Sequence, residues 1–222
     1  MQRFTLFHDG TEQGWRATYL ALHVATHLGA PLQVLHIDPQ KQQKALAQRA
    51  TQVETGGYAA GVGITTDFLT DYSKDNLKRY ATNIDGCFLP RPLIPDLESA
   101  SPFLEVFNCP LWAASVEAKF NAMTVLVNDP VSESYLITET KTLASRLHQP
   151  LTGFILDAKV ESMNVSESAN LKWMSFPEFS AEKITAALNQ LQSDLLFTSP
   201  VNINLTGNLP VNSVFIPVPA AT

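Results

Sequence analysis

The stretch that decides the fold is Arg3-Phe4-Thr5-Leu6-Phe7-His8, then Asp9-Gly10, a long run over 11–28, Gly29, and Leu32-Gln33-Val34-Leu35-His36-Ile37-Asp38. The first run is short, apolar and aromatic, as a strand should be, and Asp9-Gly10 ends it as a turn. Over 11–28 apolar residues return at helical spacing, at Trp15, Tyr19 and Leu22 and again at Leu20, Val24 and Leu28. Thr11 supplies a cap, Glu12 an acid for the first turn, and Gly29 a stop. The last run is a second strand. Strand, helix and strand in this length make a βαβ unit with parallel strands.

Outward from this unit the same grammar continues. Residues 41–54 favour helix by propensity, Gly56, Gly57, Gly61 and Gly63 are expected to break it, and 62–70 resumes as a strand. Then come a short helix over 73–83 capped by Ser73, a strand over 84–89, a helix over 101–107 opened by Ser101-Pro102, and a strand over 111–116. After Phe120 the pattern restarts. Laid without a gap over 5–38, the stretch 124–157 matches it in order of elements. Thr5/Thr124, Ala25/Ala144, Leu28/Leu147, Pro31/Pro150, Leu32/Leu151 and Asp38/Asp157 are identical at a constant spacing of 119 residues. The second copy then simplifies: 158–170 lacks a clear helix, 171–176 is a strand, 179–192 a helix, and the strands 194–198 and 213–218 are joined by a Pro/Asn loop. The expected fold class is α/β, two tandem parallel-sheet domains over 1–120 and 121–222.

Composition sets the limits. The chain has 222 residues, 45% hydrophobic and 16% charged, enough apolar material for packed cores and too little charge for a disordered chain. No stretch approaches the ~18 apolar residues of a membrane-spanning helix. The N-terminus reaches Asp9 after one short strand, so no signal peptide is expected. Cys87 and Cys109 are the only cysteines, too few for a disulfide framework or a four-ligand zinc site, and a reduced cytoplasmic setting is expected. The net charge of −6 gives no cationic surface for nucleic acid, and no polybasic run suggests a membrane surface.

Asp9-Gly10-Thr11-Glu12, the Ala-rich helix to Leu28-Gly29-Ala30, and Val34-Leu35-His36-Ile37-Asp38 resemble the opening of universal stress proteins, and Cys109-Pro110-Leu111-Trp112 resembles the start of that family's last strand. The resemblance implies strand order 3-2-1-4-5 in an adenine nucleotide alpha hydrolase-like fold, across nearly the whole chain as a tandem protein. It also implies a nucleotide site, with Asp9 matching the family's adenosine-contacting Asp. Nucleotide-binding members carry G-x2-G-x9-G-[ST] after the fourth strand, a nest of backbone donors for phosphate. Here that place reads Pro90-Arg91-Pro92-Leu93-Ile94-Pro95-Asp96-Leu97-Glu98-Ser99-Ala100-Ser101-Pro102, without a glycine. The corresponding place of the second copy, 198–212, has only Gly207.

Each candidate group has a plainer reading. Asp9 can stabilise its turn and the helix start, as can Asn128 and Asp129 at the equivalent turn, where Pro130 follows. His23 and His27 share a helix face but lack a third ligand, and no metal site is expected. His8 and His36 end adjacent strands, either lining a polar pocket or serving as hydrogen-bonded edge residues. Trp15, Trp112 and Trp173 read as core or interface anchors rather than a base-stacking platform, and the two cysteines as small buried hydrophobes. There is no nucleophile elbow G-x-S-x-G.

The leading expectation is a non-enzymatic, stress-linked cytoplasmic scaffold or regulatory partner of an unknown protein, with no cofactor. It would be a homodimer, or a monomer whose domains pair through 111–116 and 213–218 as the resemblance implies. The alternative is an adenine-nucleotide binder holding ATP or AMP at Asp9, Gly10, Thr11 and Ile37 in a non-standard way, with slow hydrolysis. A sensor of another small ligand is a third reading.

Overall fold

The computed structural model describes residues 3–37, 43–156, 164–168, 171–207 and 209–217, and the chain divides into two compact units, Met1–Glu117 and Ala118–Thr222. The Asp38/Asp157 pair and the loop centre at 158–163 lie outside the described residues, as does the end of the last expected strand.

The first unit runs β1 (Phe4–His8), α1 (Glu12–Leu28), β2 (Leu32–Ile37), α2 (Gln43–Ala59), β3 (Ile64–Leu69), α3 (Lys74–Lys78), β4 (Gly86–Pro90), α4 (Leu97–Phe107) and β5 (Leu111–Ala114). Its strands lie in the order β3-β2-β1-β4-β5, and all are parallel. This is the 3-2-1-4-5 order that the resemblance implied. Two aromatic layers flank β1 and β4. Phe4, Phe88 and Trp112 pack together on one face, while Phe7 meets Phe103 and Phe107 of α4 on the other.

The second unit runs β6 (Met123–Val127), α5 (Ser134–Arg146), β7 (Leu151–Leu156), β8 (Asn164–Ser168), β9 (Leu171–Phe176), α6 (Ala181–Leu191), β10 (Leu195–Thr198), α7 (Ile203–Thr206) and β11 (Asn212–Phe215). Its order is β11-β10-β6-β7-β9-β8, parallel except for β8. Apart from the added edge strand, the order is that of the first unit. The core gathers Phe154, Met174, Phe176, Ile184, Leu188 and Leu196.

The internal repeat is visible bond by bond. Phe4 sits opposite Leu32 and Met123 opposite Leu151, so the register is conserved at the 119-residue spacing. Phe4 N donates to Pro31 O at 3.1 Å and Met123 N to Pro150 O at 2.9 Å, and both helices close with the same bond, Ala30 N to Ala25 O and Gln149 N to Ala144 O, each 2.9 Å. Gly29, at φ 60, takes the left-handed position after α1, and His148, at φ 55, takes it after α5.

Several boundaries differ from the sequence reading. α2 passes through Gly56 and Gly57 and stops only at Gly61, which is left-handed at φ 71. Gly57 lets the helix approach β3, since a Cβ there would meet Ile64 Cδ1 at 2.0 Å. α3 is shorter than 73–83, and α4 begins at Leu97 rather than at Ser101, with Pro102 inside it. Asp96 moves the start: its side chain accepts from Ser99 N and caps the helix earlier. Between β7 and β9 the second unit has β8, an antiparallel edge strand, where the first unit has α2. The Pro/Asn segment before β11 holds a 3-10 turn at Pro200–Asn202 and the short α7. Asn202 nucleates this coil, its amide donating to Thr198 Oγ1 at 2.8 Å while Thr206 Oγ1 donates to its carbonyl at 3.2 Å. Among the described residues, no helix is long and apolar enough to cross a membrane.

Candidate functional site

Strand order reverses direction between β1 and β4, the place where open α/β sheets present ligand sites at strand C-termini. Asp9, Gly10 and Thr11 lie there at the end of β1, and Ile37 ends the neighbouring β2. The chain's own groups already engage them. Asp9 Oδ1 accepts from Thr11 N at 3.0 Å and from Thr11 Oγ1 at 2.7 Å. Thr11 Oγ1 in turn accepts from Gly14 N at 3.1 Å, which caps α1. Gly10 N donates to His8 Nδ1 at 3.0 Å.

Above this turn lies a residue the sequence did not single out. Arg49, projecting from α2, donates from Nη1 to Ile37 O at 3.3 Å. Its guanidinium rests on Gly10, where a Cβ would lie 2.6 Å from Nη1, and Gly10 itself is at φ +83. Asp9, Gly10, Thr11 and Ile37 are thus brought to one crevice, bridged by Arg49. Nothing local in the sequence marks Arg49, because its reach depends on how α2 returns along β2 and β3.

Beneath the crevice a polar row crosses the sheet. His8 lies opposite His36 and His36 opposite Phe68. The two imidazole rings are 5.4 Å apart, and Trp15 of α1 meets His8 edge-on at 4.6 Å. The expectation of edge residues is corrected here: β1 and β2 are interior strands, and both histidines are fully buried. His8 Nε2, both ring nitrogens of His36 and the Tyr72 hydroxyl have no hydrogen-bond partner among the described residues. Burial, the His36 ring and the Arg49 charge together lower the His8 pKa to about 3. Burial and Arg49 lower that of His36 to about 4, against an opposing pull from Glu54. Burial and the nearby Asp9 push the Tyr72 hydroxyl upward. These groups are neutral at neutral pH, so the row offers polarity without charge.

The segment after β4 leaves the strand that neighbours β1. Arg91, Pro92 and Leu93 make a 3-10 turn with Arg91 buried, and burial lowers the Arg91 pKa to about 10 against the attraction of Asp96. Ile94 N donates to Arg91 O at 3.0 Å and Ala100 N to Asp96 O at 3.1 Å. Ser99 N donates to Asp96 Oδ1 at 2.8 Å, and this bond holds the Asp96 carboxyl below the usual range. Arg16 reaches from α1 to Ser115 O at 2.5 Å, beyond the end of β5, and pairs with Glu12.

The matching turn of the second unit is equally self-satisfied. Glu133 Oε2 accepts from Asn128 N and Asp129 N, while Asp129 accepts from Val131 N and Ser132 N. Asn128 Nδ2 reaches Asn202 Oδ1 at 3.4 Å across the strand ends. His23 and His27 stack on α1 with ring centroids 4.2 Å apart, and His27 Nδ1 is bonded to His23 O. Among the described residues no group of three or more His, Cys, Asp or Glu is placed to hold a metal. Trp15 also lines a groove of about 470 Å³ between α1 and α2, together with Thr18, Tyr19, Leu22, Gln52, Val53 and Gly56.

Parallel sheets of strand order 3-2-1-4-5, the second with an added antiparallel edge strand, give this chain the fold of universal stress protein structures. Two solved structures with this fold cover nearly the whole chain. A protein from Pseudomonas aeruginosa UCBPP-PA14 described as a universal stress protein aligns over 98% of this chain and 93% of its own, at 10% identity and TM-score 0.67. A universal stress protein from Archaeoglobus fulgidus aligns over 96% and 95%, at 11% identity and TM-score 0.63. The cytoplasmic domain of a prokaryotic cation chloride cotransporter also aligns, over 96% and 94%, at 12% identity and TM-score 0.55. No protein-family model matches the sequence, and no curated protein matches it. At these identities the likeness establishes the fold.

Proposed function

We propose that this chain is a non-enzymatic, cytoplasmic protein of the universal stress protein type, serving as a stress-linked scaffold or regulatory partner without binding ATP. The observation that carries the reading is the segment after β4. Pro90, Pro92 and Pro95 offer no N–H to a phosphate, and the N-terminus of α4 is capped by its own Asp96 with Glu98 in the first turn. A phosphate there would meet two carboxylates in place of a nest of donors. The turn after β1 supports the same conclusion, since Asp9 and Thr11 spend their hydrogen bonds on each other and on α1. Without a held nucleotide there is no phosphoryl group to transfer, and no cofactor is required. The working species is a monomer or a homodimer, which sedimentation equilibrium distinguishes.

One observation favours a second reading, an adenine nucleotide held at Asp9, Gly10, Thr11 and Ile37. Arg49 lies over Gly10 with no carboxylate at ion-pair distance among the described residues, and such a cation attracts phosphate. Thermal shift with ATP, AMP and cyclic AMP, on the natural chain and on Arg49→Ala, separates the two. The leading reading expects no shift with any of them in either protein. A shift in the natural chain that Arg49→Ala abolishes supports the second.

A further inference from the structure

We propose that Cys87 and Cys109 are a peroxide-oxidisable pair that closes to an intramolecular disulfide. Cys87 precedes Phe88 in β4, and the Phe88 ring packs with Phe4 and Trp112. Strand alternation therefore turns Cys87 to the opposite face of the sheet, where Phe103 and Phe107 of α4 lie against Phe7. Cys109 follows the left-handed Asn108 that ends α4. It precedes Pro110, whose carbonyl accepts from Cys87 N at 2.9 Å. The crossover thus brings two sulfurs that are 22 residues apart to within 3.6 Å of each other, both as free thiols.

Packing alone asks only that each cysteine fill a small apolar space. Direct sulfur–sulfur contact is a further property, and it leaves an approach of about 1.5 Å to the bonded distance, within reach of side-chain rotation. Cys109 is the less enclosed of the two, 5% exposed against 0% for Cys87. Burial and the neighbouring thiol raise the Cys87 pKa well above the ordinary thiol range, so Cys87 stays protonated and is not the first to react. The oxidant is a peroxide that reaches Cys109. The Cys109 sulfur attacks one peroxide oxygen, the O–O bond breaks, and Cys109 becomes a sulfenic acid as water leaves. Cys87 sulfur then attacks Cys109 sulfur, the S–O bond breaks, the S–S bond forms, and the Cys87 proton leaves with the hydroxide as a second water. Two thiols lose two electrons and two protons to one peroxide. The bond closes a loop over 87–109, which contains the Pro-rich turn and α4.

The test treats the full reduced chain with hydrogen peroxide, quenches it, and unfolds it with iodoacetamide present and reductant absent before intact-mass measurement. The expected product is unalkylated, lighter than the reduced chain by two hydrogen atoms, and restored by dithiothreitol. Its melting temperature rises by roughly 5–10 °C, from the loop constraint on the unfolded chain. Cys109→Ser, at the less enclosed position, should keep the fold by circular dichroism and lose both the mass change and the thermal gain. Two alkylated cysteines in a chain whose methionines have taken up oxygen overturn the proposal. So does a Cys109→Ser variant that gains the same thermal stability on oxidation.

Discussion

Arg49 shows why a site can be formed by residues that no motif contains. Asp9, Gly10 and Thr11 announce themselves as a turn and cap, and they act as one. The guanidinium that covers them arrives from a helix whose path the local sequence does not state. The buried histidines are a similar case: their place at two strand ends was legible, but their enclosure by Trp15 and the row to Phe68 required the packed sheet. They also make a pH prediction. Both are neutral when folded, with pKa values of about 3 and 4 against an ordinary 6.5. Below pH 6.5 the unfolded chain therefore binds more protons than the folded one. Their contribution to stability is full above that pH and is lost as pH falls toward 4 and then 3. Each imidazole adds a slope of about 1.4 kcal/mol per pH unit within its window. His36→Phe, which extends the aromatic contact with Phe68, should lower the slope of unfolding free energy by about that amount between roughly pH 6 and 4.5. Urea titrations at several pH values measure it, and an unchanged slope would mean that His36 is charged or solvated in the folded chain.

At the scale of elements, the first βαβ unit was readable almost to the residue because strand, cap and stop signals agree there. The repeat was readable too, as the matching closing bonds of α1 and α5 show. It carries a test where the two copies put different residues at the same left-handed position. Gly29 and His148 hold the same left-handed position, and beyond its chain neighbours nothing lies within 4 Å of a Cβ built on Gly29. Backbone conformation alone then sets the effect: Gly29→Ala should cost about 1 kcal/mol, and His148→Gly should gain about 0.5–1 kcal/mol. Opposite signs in chemical denaturation would confirm the equivalence. A loss at both positions would show that His148 makes contacts that outweigh its strain. Gly153 is different, since a Cβ there would lie 2.1 Å from the Trp173 ring across β7 and β9. Gly153→Ala should destabilise the second unit by about 2–3 kcal/mol through overpacking, read as a lower denaturation midpoint; an unchanged midpoint would mean the ring can swing aside. The elements misread from sequence have identifiable causes. Gly57 marks a close approach rather than a break, Asp96 captures a helix start that Ser101-Pro102 resembled, and β8 folds back antiparallel on β9, the strand that follows it, where the first unit has a helix.

At the scale of the molecule, the same strand order occurs in both units, and the segments after β4 and β10 decide whether a phosphate could be held. In the first unit prolines and a carboxylate cap stand after β4 where backbone donors would be needed; in the second, Pro200 opens the 3-10 turn after β10 and Asn202 bonds back to Thr198 there. Each charge-assisted hydrogen bond to phosphate contributes ~1.5–3 kcal/mol. Removing two or three weakens binding by several orders of magnitude, to a dissociation constant of roughly millimolar or worse. Isothermal titration calorimetry of the full chain with magnesium ATP, repeated on Arg49→Ala, tests this most directly. Titration to millimolar ligand without saturable heat in either protein is the expected result. A micromolar site in the natural chain, lost in Arg49→Ala, would contradict it and make the strand-end crevice a working nucleotide site.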